Sequence, residues 1–326
     1  MATEPIVVLY CIDDAYIRQA AISLASLLDK TPARRIEVTI AAFDRDYALS
    51  KAVFTRVLQA HRHCTLRFVD LDDRLFQGLP VTRSFSRSIY ARLILQRFIE
   101  PHHRRLLYLD ADTIVCDDIS PLWQTDLGDA TLGAVPDHFR LDPARIGFAG
   151  DEPYFNSGML LIDVQRWRER DCERRVFDIL AQSGEKLAWM DQDALNIALR
   201  GEVLFLGQRW NWQPRCADVP AAFLDLEEAV YRRWRAAPGI VHYTTSFKPW
   251  NAGYRVHYSA LFFGAAEASG IPSRLLPARA PARGIGQRLL ALKTGLRWRI
   301  PRAFRSMRLL LKPRAAAAMY RAGPAD

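Results

Sequence analysis

Leu106-Leu107-Tyr108-Leu109-Asp110-Ala111-Asp112 sets four apolar residues directly before two acids. An apolar run that ends in charge predicts a buried strand leading into a loop. Because side chains alternate along a strand, Asp110 and Asp112 are expected on the same face. Two neighbouring carboxylates repel each other unless a cation lies between them, and hard divalent cations take oxygen ligands. The stretch therefore predicts a metal site at the carboxyl end of a strand, although such pairs of acids also occur as solvated loop residues and helix caps.

Strands and helices are predicted in alternation on both sides of this stretch. Apolar runs predict strands over residues 6–10, 36–42, 66–70, 131–135, 159–162 and 240–243. The spacing of apolar residues predicts helices over residues 17–28, 47–60, 88–98, 164–170 and 194–199. Asp163 is expected to cap the helix that follows it. The alternation favours an α/β fold in which helices flank a mainly parallel sheet.

The composition is that of an ordinary soluble protein of one or two domains. Of the 326 residues, 50% are hydrophobic and 25% are charged. No apolar run is long enough for a membrane-spanning helix, and the first ten residues lack the basic start of a signal peptide. The five cysteines form no CxxC pair. This pattern argues against a disulfide framework or a zinc site and favours a reducing, cytoplasmic location.

The positive charge is concentrated at the end of the chain. The net charge is +9, but residues 268–326 hold 13 Lys and Arg against the single acid Asp326. Prolines at Pro272, Pro277 and Pro281 predict a linker. We therefore expect a globular domain over residues 1–265 and a basic, helical tail over residues 266–326. Arginines mixed with Leu, Trp and Phe favour binding of this tail to an anionic membrane surface. The alternatives for the tail are nucleic-acid binding and a solvated segment. Membrane binding is favoured over both, so we expect no nucleic acid as a partner.

Seven spaced segments, taken together, resemble one known family. They are Leu9-Tyr10-Cys11-Ile12-Asp13-Asp14, Tyr90-Ala91-Arg92-Leu93, Leu107-Tyr108-Leu109-Asp110-Ala111-Asp112, Pro121-Leu122-Trp123, Tyr154-Phe155-Asn156-Ser157-Gly158, Asp191-Gln192-Asp193-Ala194-Leu195-Asn196, and His242-Tyr243 through Lys248-Pro249-Trp250. In this order they resemble glycosyltransferase family 8, especially bacterial lipopolysaccharide galactosyl- and glucosyltransferases. The resemblance implies a GT-A fold, which binds nucleotide-sugars in a Rossmann-like sheet, and a UDP-hexose donor. It also implies Mn²⁺ or Mg²⁺, a lipopolysaccharide or glycolipid acceptor, and retention of the α configuration.

The resemblance assigns a metal site and a contact with the diphosphate. Asp110, Asp112 and His242 would bind the ion, which stabilises negative charge on the leaving diphosphate. Lys248 would contact that diphosphate as a point charge. Without the resemblance, His242 reads as a structural histidine and Lys248 as a surface lysine. The chain departs from the family at Thr245-Ser246, where Gly-Pro is common.

The nucleotide contacts that the resemblance implies lie at the end of the first strand. Asp13 resembles the family's uracil-contacting acid, and Tyr10 is expected to stack on the base. The family often has Asn two residues after this acid, whereas the chain has Ala15. Asp13 as a helix N-cap and Tyr10 as a core aromatic are the alternatives.

The sugar contacts come from four residues that resemble the family's sugar-binding set, Arg92, Asn156, Asp191 and Gln192. Their planar polar side chains suit paired hydrogen bonds to hydroxyl groups. Asp191 would accept hydrogen bonds from the hexose and so contribute to its selection. The alternative for Asp191 and Asp193 is helix capping, and Asn156 also suits a turn.

Retention of configuration limits the mechanism to two routes. One uses two inversions through a covalent intermediate, and the other uses attack on the face from which the diphosphate leaves. The catalytic candidates are Gln192, Asp191 and Asp193, of which Gln192 is a poor nucleophile. We therefore favour front-face attack. Two other functions remain open: a catalytically silent GT-A body that binds membranes or nucleic acid, and a nucleotidyltransferase.

Overall fold

A sheet of seven strands forms the centre of the protein. The computed structural model describes residues 4–43, 46–77, 79, 88–183, 186–251 and 256–277. The strands of this sheet are β1 (Ile6–Asp13), β2 (Ile36–Phe43), β3 (Cys64–Asp70), β4 (Arg105–Leu109), β6 (Leu132–Pro136), β7 (Phe155–Asp163) and β8 (Val203–Phe205). They lie in the order β3-β2-β1-β4-β7-β6-β8. A separate two-stranded sheet joins β5 (Thr113–Val115) to β9 (Ile240–His242).

One reversed strand interrupts an otherwise parallel arrangement. Strands β3, β2, β1 and β4 pair in parallel with one another in that order, and β6 pairs in parallel with β8. Strand β7 is antiparallel to both β4 and β6. The amino end of β7 therefore lies beside the carboxyl end of β4, where the Asp110 backbone N–H donates to the Gly158 carbonyl at 2.9 Å. The predicted α/β class with a mostly parallel sheet is confirmed.

Nine α-helical segments of the described chain flank and close this sheet. They are α1 (Ile17–Lys30), α2 (Tyr47–Ala60), α3 (Ser88–Ala91), α4 (Ser120–Trp123), α5 (Val164–Glu169), α6 (Cys172–Ser183), α7 (Met190–Ala198), α8 (Glu228–Ala236) and α9 (Ser259–Ala268). Helix α2 has the predicted bounds. The Asp163 side chain caps α5 by accepting from the Arg166 backbone N–H at 2.9 Å, as predicted.

The predicted helix over residues 88–98 differs from the structure. Helix α3 ends at Ala91, and a 3₁₀ segment follows over Arg92–Arg97, with non-helical backbone angles at Ile94. Four consecutive residues from Arg92 to Leu95 are buried. The break at Ile94 ends the regular α-helix, and the chain continues in the tighter 3₁₀ winding that is typical of short connecting segments.

The small sheet and the last described helix extend the packed body. Thr113 pairs with His242 in the register of β5 and β9, which places His242 next to the loop after β4. Helix α9 crosses the domain boundary predicted after residue 265, and Ile271 lies in the core at 5% exposure. The packed body therefore reaches at least Ile271. Most of the predicted basic tail, residues 278–326, lies outside the described residues. Among the described helices, none has the length and apolarity needed to cross a bilayer.

Candidate active site

Three potential metal ligands meet where β4, β5 and β9 come together. Asp110 follows β4, Asp112 precedes β5, and His242 is the last residue of β9. One ligand atom from each lies within 4.8 Å of the others. His242 Nε2 is 3.2 Å from Asp112 Oδ1 and 3.5 Å from Asp110 Oδ2. Two carboxylates and one imidazole form a donor set that fits Mn²⁺ or Mg²⁺, with room in the coordination shell for phosphate oxygens. We call these three residues the metal cluster.

Gly158 provides the space that the metal cluster occupies. A Cβ atom on this residue would lie 2.1 Å from His242 Cε1 and 2.7 Å from Asp110 Oδ2. Both distances are far below van der Waals contact, so no other residue type fits here without displacing a ligand. The antiparallel pairing of β7 with β4 brings the glycine to this point.

Two buried cations flank the two carboxylates. Arg92 Nη2 is 2.9 Å from Asp110 Oδ1, and Lys248 Nζ donates to Asp112 Oδ2. Lys248 Nζ also donates to the Tyr243 carbonyl at 2.5 Å, and the side chain is only 7% exposed. Although burial acts to raise it, the pKa of Asp112 is held below its ordinary value by the Lys248 ammonium. Lys248 is therefore part of the site and not a surface lysine.

The Arg92 guanidinium also connects the metal cluster to α7. Its Nε is 3.3 Å from Asp191 Oδ2, and Nη1 donates to the Ser157 carbonyl at 3.1 Å. The Ser157 hydroxyl donates to the same Asp191 oxygen at 3.2 Å. Burial raises the pKa of Asp191 above its ordinary value, although Arg92 acts against this rise. The buried Arg92 guanidinium thus lies between the carboxylates of Asp110 and Asp191 and pairs with both.

Gln192 is fixed by hydrogen bonds at both ends of its carboxamide. Its Oε1 accepts from Asn156 Nδ2 at 3.0 Å and from the Ser157 backbone N–H at 3.1 Å. Its Nε2 donates to the Tyr154 hydroxyl at 3.1 Å and to Asp137 Oδ2 at 3.3 Å. Asn156 lies inside β7, so the interpretation of this residue as part of a turn is wrong. The structure therefore brings Asn156 and Gln192 together, as the sugar-binding prediction requires.

Asp193 is a structural acid in this fold. Its carboxylate accepts from the Arg145 guanidinium at 2.7 and 2.5 Å and from the Tyr154 hydroxyl at 2.6 Å. It also accepts from the backbone N–H groups of Ala188 and Trp189, at 2.8 and 2.9 Å. These bonds hold the start of α7 in place, although the N-cap residue itself is Trp189. Asp193 is fully buried and its oxygens are occupied, so we assign it no catalytic role.

Tyr10 lies in the core and cannot stack on a base. Its side chain is fully buried, and its hydroxyl is 3.1 Å from Ser23 Oγ on α1. Burial raises the pKa of this hydroxyl above its ordinary value. The stacking prediction for Tyr10 is therefore corrected to a core aromatic, which was the alternative.

Tyr16 is an aromatic residue near the metal cluster that the sequence interpretation missed. It is partly exposed, and its ring packs edge-on against Trp250 at a centroid distance of 6.4 Å. Burial raises the pKa of Tyr16, and the nearby carboxylates of Asp112, Asp13 and Asp110 raise it further. The available signal was an aromatic residue three positions after Asp13, just past the end of β1.

Asp13 is the cap of a turn, which was the alternative prediction for it, and its contact with uracil stays a prediction. Its side chain caps a 3₁₀ turn by accepting from the Ala15 backbone N–H at 3.1 Å. It also ends β1 on the same edge of the sheet as the metal cluster and is partly exposed. The Asp13 carboxylate therefore caps the turn and lies at the edge of the sheet that carries the metal cluster.

Comparison with known proteins matches both the sequence and the fold. Residues 7–253 match the family model for Glycosyl transferase family 8. General stress protein A of Bacillus subtilis is 28% identical over 262 residues, which is 78% of this chain and 90% of that protein. Lipopolysaccharide 1,2-glucosyltransferase of Escherichia coli K12 is 25% identical over 257 residues, 76% of this chain and 74% of the relative. The crystal structure of galactosyltransferase LgtC with donor and acceptor sugar analogues is 28% identical, with a TM-score of 0.72 over 82% of this chain and 98% of that one.

Proposed function

The chain belongs to glycosyltransferase family 8, and we propose that it transfers galactose or glucose from a UDP-sugar to a lipopolysaccharide or related glycolipid acceptor. The main support for this proposal is the metal cluster with Lys248 beside it. The cluster would hold a divalent cation and Lys248 supplies an ammonium, and these are the positive charges that a nucleotide diphosphate requires. The relatives support it: one is named a lipopolysaccharide 1,2-glucosyltransferase, and one structure is of a galactosyltransferase with donor and acceptor sugar analogues.

Mn²⁺, or Mg²⁺ in its place, is the proposed cofactor. Asp110, Asp112 and His242 would hold it, and Gly158 leaves the space for it. When bound, the ion supplies Lewis-acid stabilisation of the negative charge that develops on the leaving diphosphate. The Lys248 ammonium adds a second positive charge at the same place, since it already lies against Asp112.

The donor would lie along the carboxyl edge of the sheet. In this proposal Asp13 and Tyr16 contact the uracil and ribose, because Asp13 ends β1 and Tyr16 lies just past it, both near the metal cluster. The hexose would lie on the other side of the diphosphate, against Arg92 and Asp191. Asp191 selects among hexoses by accepting hydrogen bonds from their hydroxyl groups.

Front-face attack fits the arrangement of side chains better than a double displacement. In this route the acceptor hydroxyl oxygen bonds to the anomeric carbon as the bond to the β-phosphate oxygen breaks, and the hydroxyl proton passes to that phosphate oxygen. A double displacement needs a free carboxylate beneath the sugar. Asp191 is paired with Arg92, Asp193 is fully hydrogen-bonded, and Gln192 carries no charge. A glycosyl adduct trapped on either acid would overturn this route.

Release of UDP from UDP-hexoses tests the proposed activity directly. We expect Mn²⁺-dependent release from UDP-galactose or UDP-glucose, and a screen of both identifies the hexose. Asp112→Ala should abolish the metal-dependent part and weaken UDP-sugar binding, because it removes one of three ligands. Asp178→Ala, on an exposed turn of α6, is the matched control and should keep full activity. A folded protein that turns over no UDP-hexose would instead favour a catalytically silent GT-A body.

We propose a peripheral position on the inner face of the cytoplasmic membrane. The described chain ends at Pro277, next to a surface hollow lined by Lys51, Arg56 and Arg274. The residues that follow carry most of the basic charge of the tail, and this charge would attract anionic lipid. The acceptor proposed above is a glycolipid, so such a position would bring the enzyme to its substrate.

A further inference from the structure

A chain of buried amides leads from the metal cluster to α7. His242 Nδ1 is 2.8 Å from Asn211 Oδ1, and Asn211 Nδ2 is 2.9 Å from Asn156 Oδ1. Asn156 Nδ2 in turn donates to Gln192 Oε1 at 3.0 Å. Asn211 is fully buried, and the other three side chains are less than a tenth exposed. The oxygen and nitrogen of an amide have almost the same shape, so only neighbours of known polarity decide which way each amide faces.

One backbone group fixes the orientation at the centre of this chain. The Gly158 backbone N–H donates to Asn156 Oδ1 at 3.1 Å. A backbone N–H can only donate, so the Asn156 atom that it faces is the oxygen. The same oxygen faces Asn211, which must therefore present its NH₂ group to Asn156. The remaining atom of Asn211, its oxygen, then faces His242 Nδ1.

A second backbone group gives the same answer independently. The Ser157 backbone N–H donates to Gln192 Oε1 at 3.1 Å, so this atom of Gln192 is an oxygen. It needs a donor from Asn156, which therefore presents its nitrogen to Gln192 and its oxygen to Asn211. Two fixed donors thus determine the direction of all three amides.

We propose that Asn211 is a positioning residue that holds His242 in the tautomer protonated at Nδ1. Because the Asn211 oxygen can only accept, the hydrogen bond between them requires a proton on Nδ1. The Nε2 lone pair of the neutral ring then faces the carboxylate oxygens of Asp112 and Asp110, at 3.2 and 3.5 Å. Three electron-pair donors converge on one point, which is unfavourable without a cation and suits a divalent ion. Asn211 thereby prepares His242 as a ligand.

The inference rests on the metal-binding part of the proposed function, and its tests need no sugar transfer. Nitrogen-15 NMR of the histidine side chains, measured on the full chain before Mn²⁺ is added, reports the tautomer of His242. In the alkaline plateau of a pH series we expect a protonated Nδ1 and an unprotonated Nε2. Calorimetric titration with Mn²⁺ alone reports metal affinity. Partners of this kind are worth about 10–100-fold in metal affinity, so Asn211→Ala should weaken Mn²⁺ binding by that factor and give mixed tautomers.

Two further variants separate positioning from general packing. Asn211→Asp keeps an acceptor for Nδ1, so it should keep the tautomer and bind Mn²⁺ more tightly than Asn211→Ala does. Asn196→Ala is the matched control, because Asn196 is a buried amide at 3% exposure that bonds to the backbone of Phe155 and Gln192. It should leave both the His242 tautomer and Mn²⁺ affinity unchanged.

Two results would overturn the proposal. One is a His242 protonated at Nε2 in the parent protein, which the NMR experiment shows even where Asn211→Ala does not fold. The other is an equal loss of Mn²⁺ affinity in Asn196→Ala and Asn211→Ala. A parent protein that binds no Mn²⁺ would count against the proposed metal-dependent function, and the tautomer measurement would then decide on Asn211 by itself.

Discussion

Gly158 faces the metal cluster at a distance that leaves no room for a methyl group. The Cβ atom of an alanine would overlap His242 Cε1 and approach Asp110 Oδ2 to 2.7 Å. We predict that Gly158→Ala weakens Mn²⁺ binding at least about tenfold, since displacing His242 costs as much as losing its supporting contacts. Calorimetric titration with Mn²⁺ measures the effect. Gly264→Ala in α9, where an added Cβ meets nothing within 4 Å, is the control and should bind Mn²⁺ normally.

Thr245 adopts a backbone conformation that suits glycine. Its φ is 71°, and it lies between His242 of the metal cluster and Lys248. A left-handed backbone conformation costs an L-residue about 1–2 kcal/mol, and replacing Thr245 with glycine removes this cost. The greater freedom of glycine in the unfolded chain offsets about 0.5–1 kcal/mol of that gain. We predict that Thr245→Gly raises the free energy of unfolding by about 0.5–1 kcal/mol, measured by urea titration. Thr55→Gly, the same change within α2, is the control and should lower the free energy of unfolding. A lower free energy of unfolding in both variants would contradict the proposed backbone strain at Thr245.

Tyr10 and Tyr16, on either side of Asp13, show that the alternation of side chains along a strand does not by itself predict which residues meet a ligand. Alternation predicts which residues of β1 share a face, but seven of its eight residues are buried because helices cover both faces. Neither face of such a strand is open to a ligand, so Tyr10 could only be a core residue. Ligands meet the residues that follow the strand, and there the chain carries Tyr16.

At the scale of elements, the Glu202 carboxylate connects three separate segments of the chain by hydrogen bonds. Glu202 accepts hydrogen bonds from Thr131 before β6, from Arg170 after α5 and from Arg175 in α6, at 2.7 to 3.0 Å. Although burial acts to raise it, these partners lower the pKa of Glu202 below its ordinary value. The stabilisation is therefore complete above the pKa of an unfolded glutamate, about 4.3, and is lost as the pH falls through the lower value of the folded protein.

Glu202→Gln should consequently flatten the acid side of the stability profile. The parent protein loses the contribution of Glu202 on acidification, whereas the variant lacks it at every pH. Urea unfolding at about pH 7 and about pH 3, on either side of the glutamate pKa, measures the difference between the two free energies of unfolding. Glu169→Gln, at an exposed position on α5, serves as the control and should follow the parent. If the free energy of unfolding depended on pH equally in the parent and in Glu202→Gln, the proposed contribution of Glu202 to stability would be refuted.

The elements also show what a local pattern can and cannot predict. Helix α2 matches its prediction because its capping acid and apolar spacing are contained in its own residues. Asn156, Ser157 and Gly158 belong to a strand because Asn156 pairs with Val135 of β6 and the Gly158 carbonyl accepts from Asp110 just after β4, and the local sequence contains neither partner. The same applies to the 3₁₀ segment after α3, whose burial depends on contacts from distant segments.

At the scale of the whole molecule, the catalytic body and the basic tail should separate as functions. We predict that deleting residues 280–326 abolishes binding to anionic vesicles and leaves UDP release from the UDP-hexose unchanged. Each basic residue near an anionic surface contributes about 1 kcal/mol before salt screening, and the deleted segment carries 11 of the 13 Lys and Arg of residues 268–326. Co-sedimentation with anionic vesicles measures the loss, with uncharged vesicles as the control. Undiminished binding of the truncated protein would exclude the tail as the membrane contact.

The metal cluster was predictable from the sequence only as a set of spaced motifs. Lys248 and Asp112 lie 136 positions apart, and no local pattern connects them. The order of the seven segments did connect them, because each resembles a part of one family's site. Asn211 belongs to none of those segments, and its role follows only from which atoms face each other in the folded protein.

The sheet has a seam at β4, where parallel pairing gives way to the reversed β7. Residues proposed to recognise the nucleotide come from the chain before β4, and Asn156, Asp191 and Gln192 come from the chain after it. The metal cluster draws on both sides of the seam. Recognition of the base and most of the proposed recognition of the sugar would therefore be encoded in separate parts of the gene, with Arg92 as the sugar contact that precedes the seam. Evolution could then revise the sugar that is delivered while the base that is recognised stays the same.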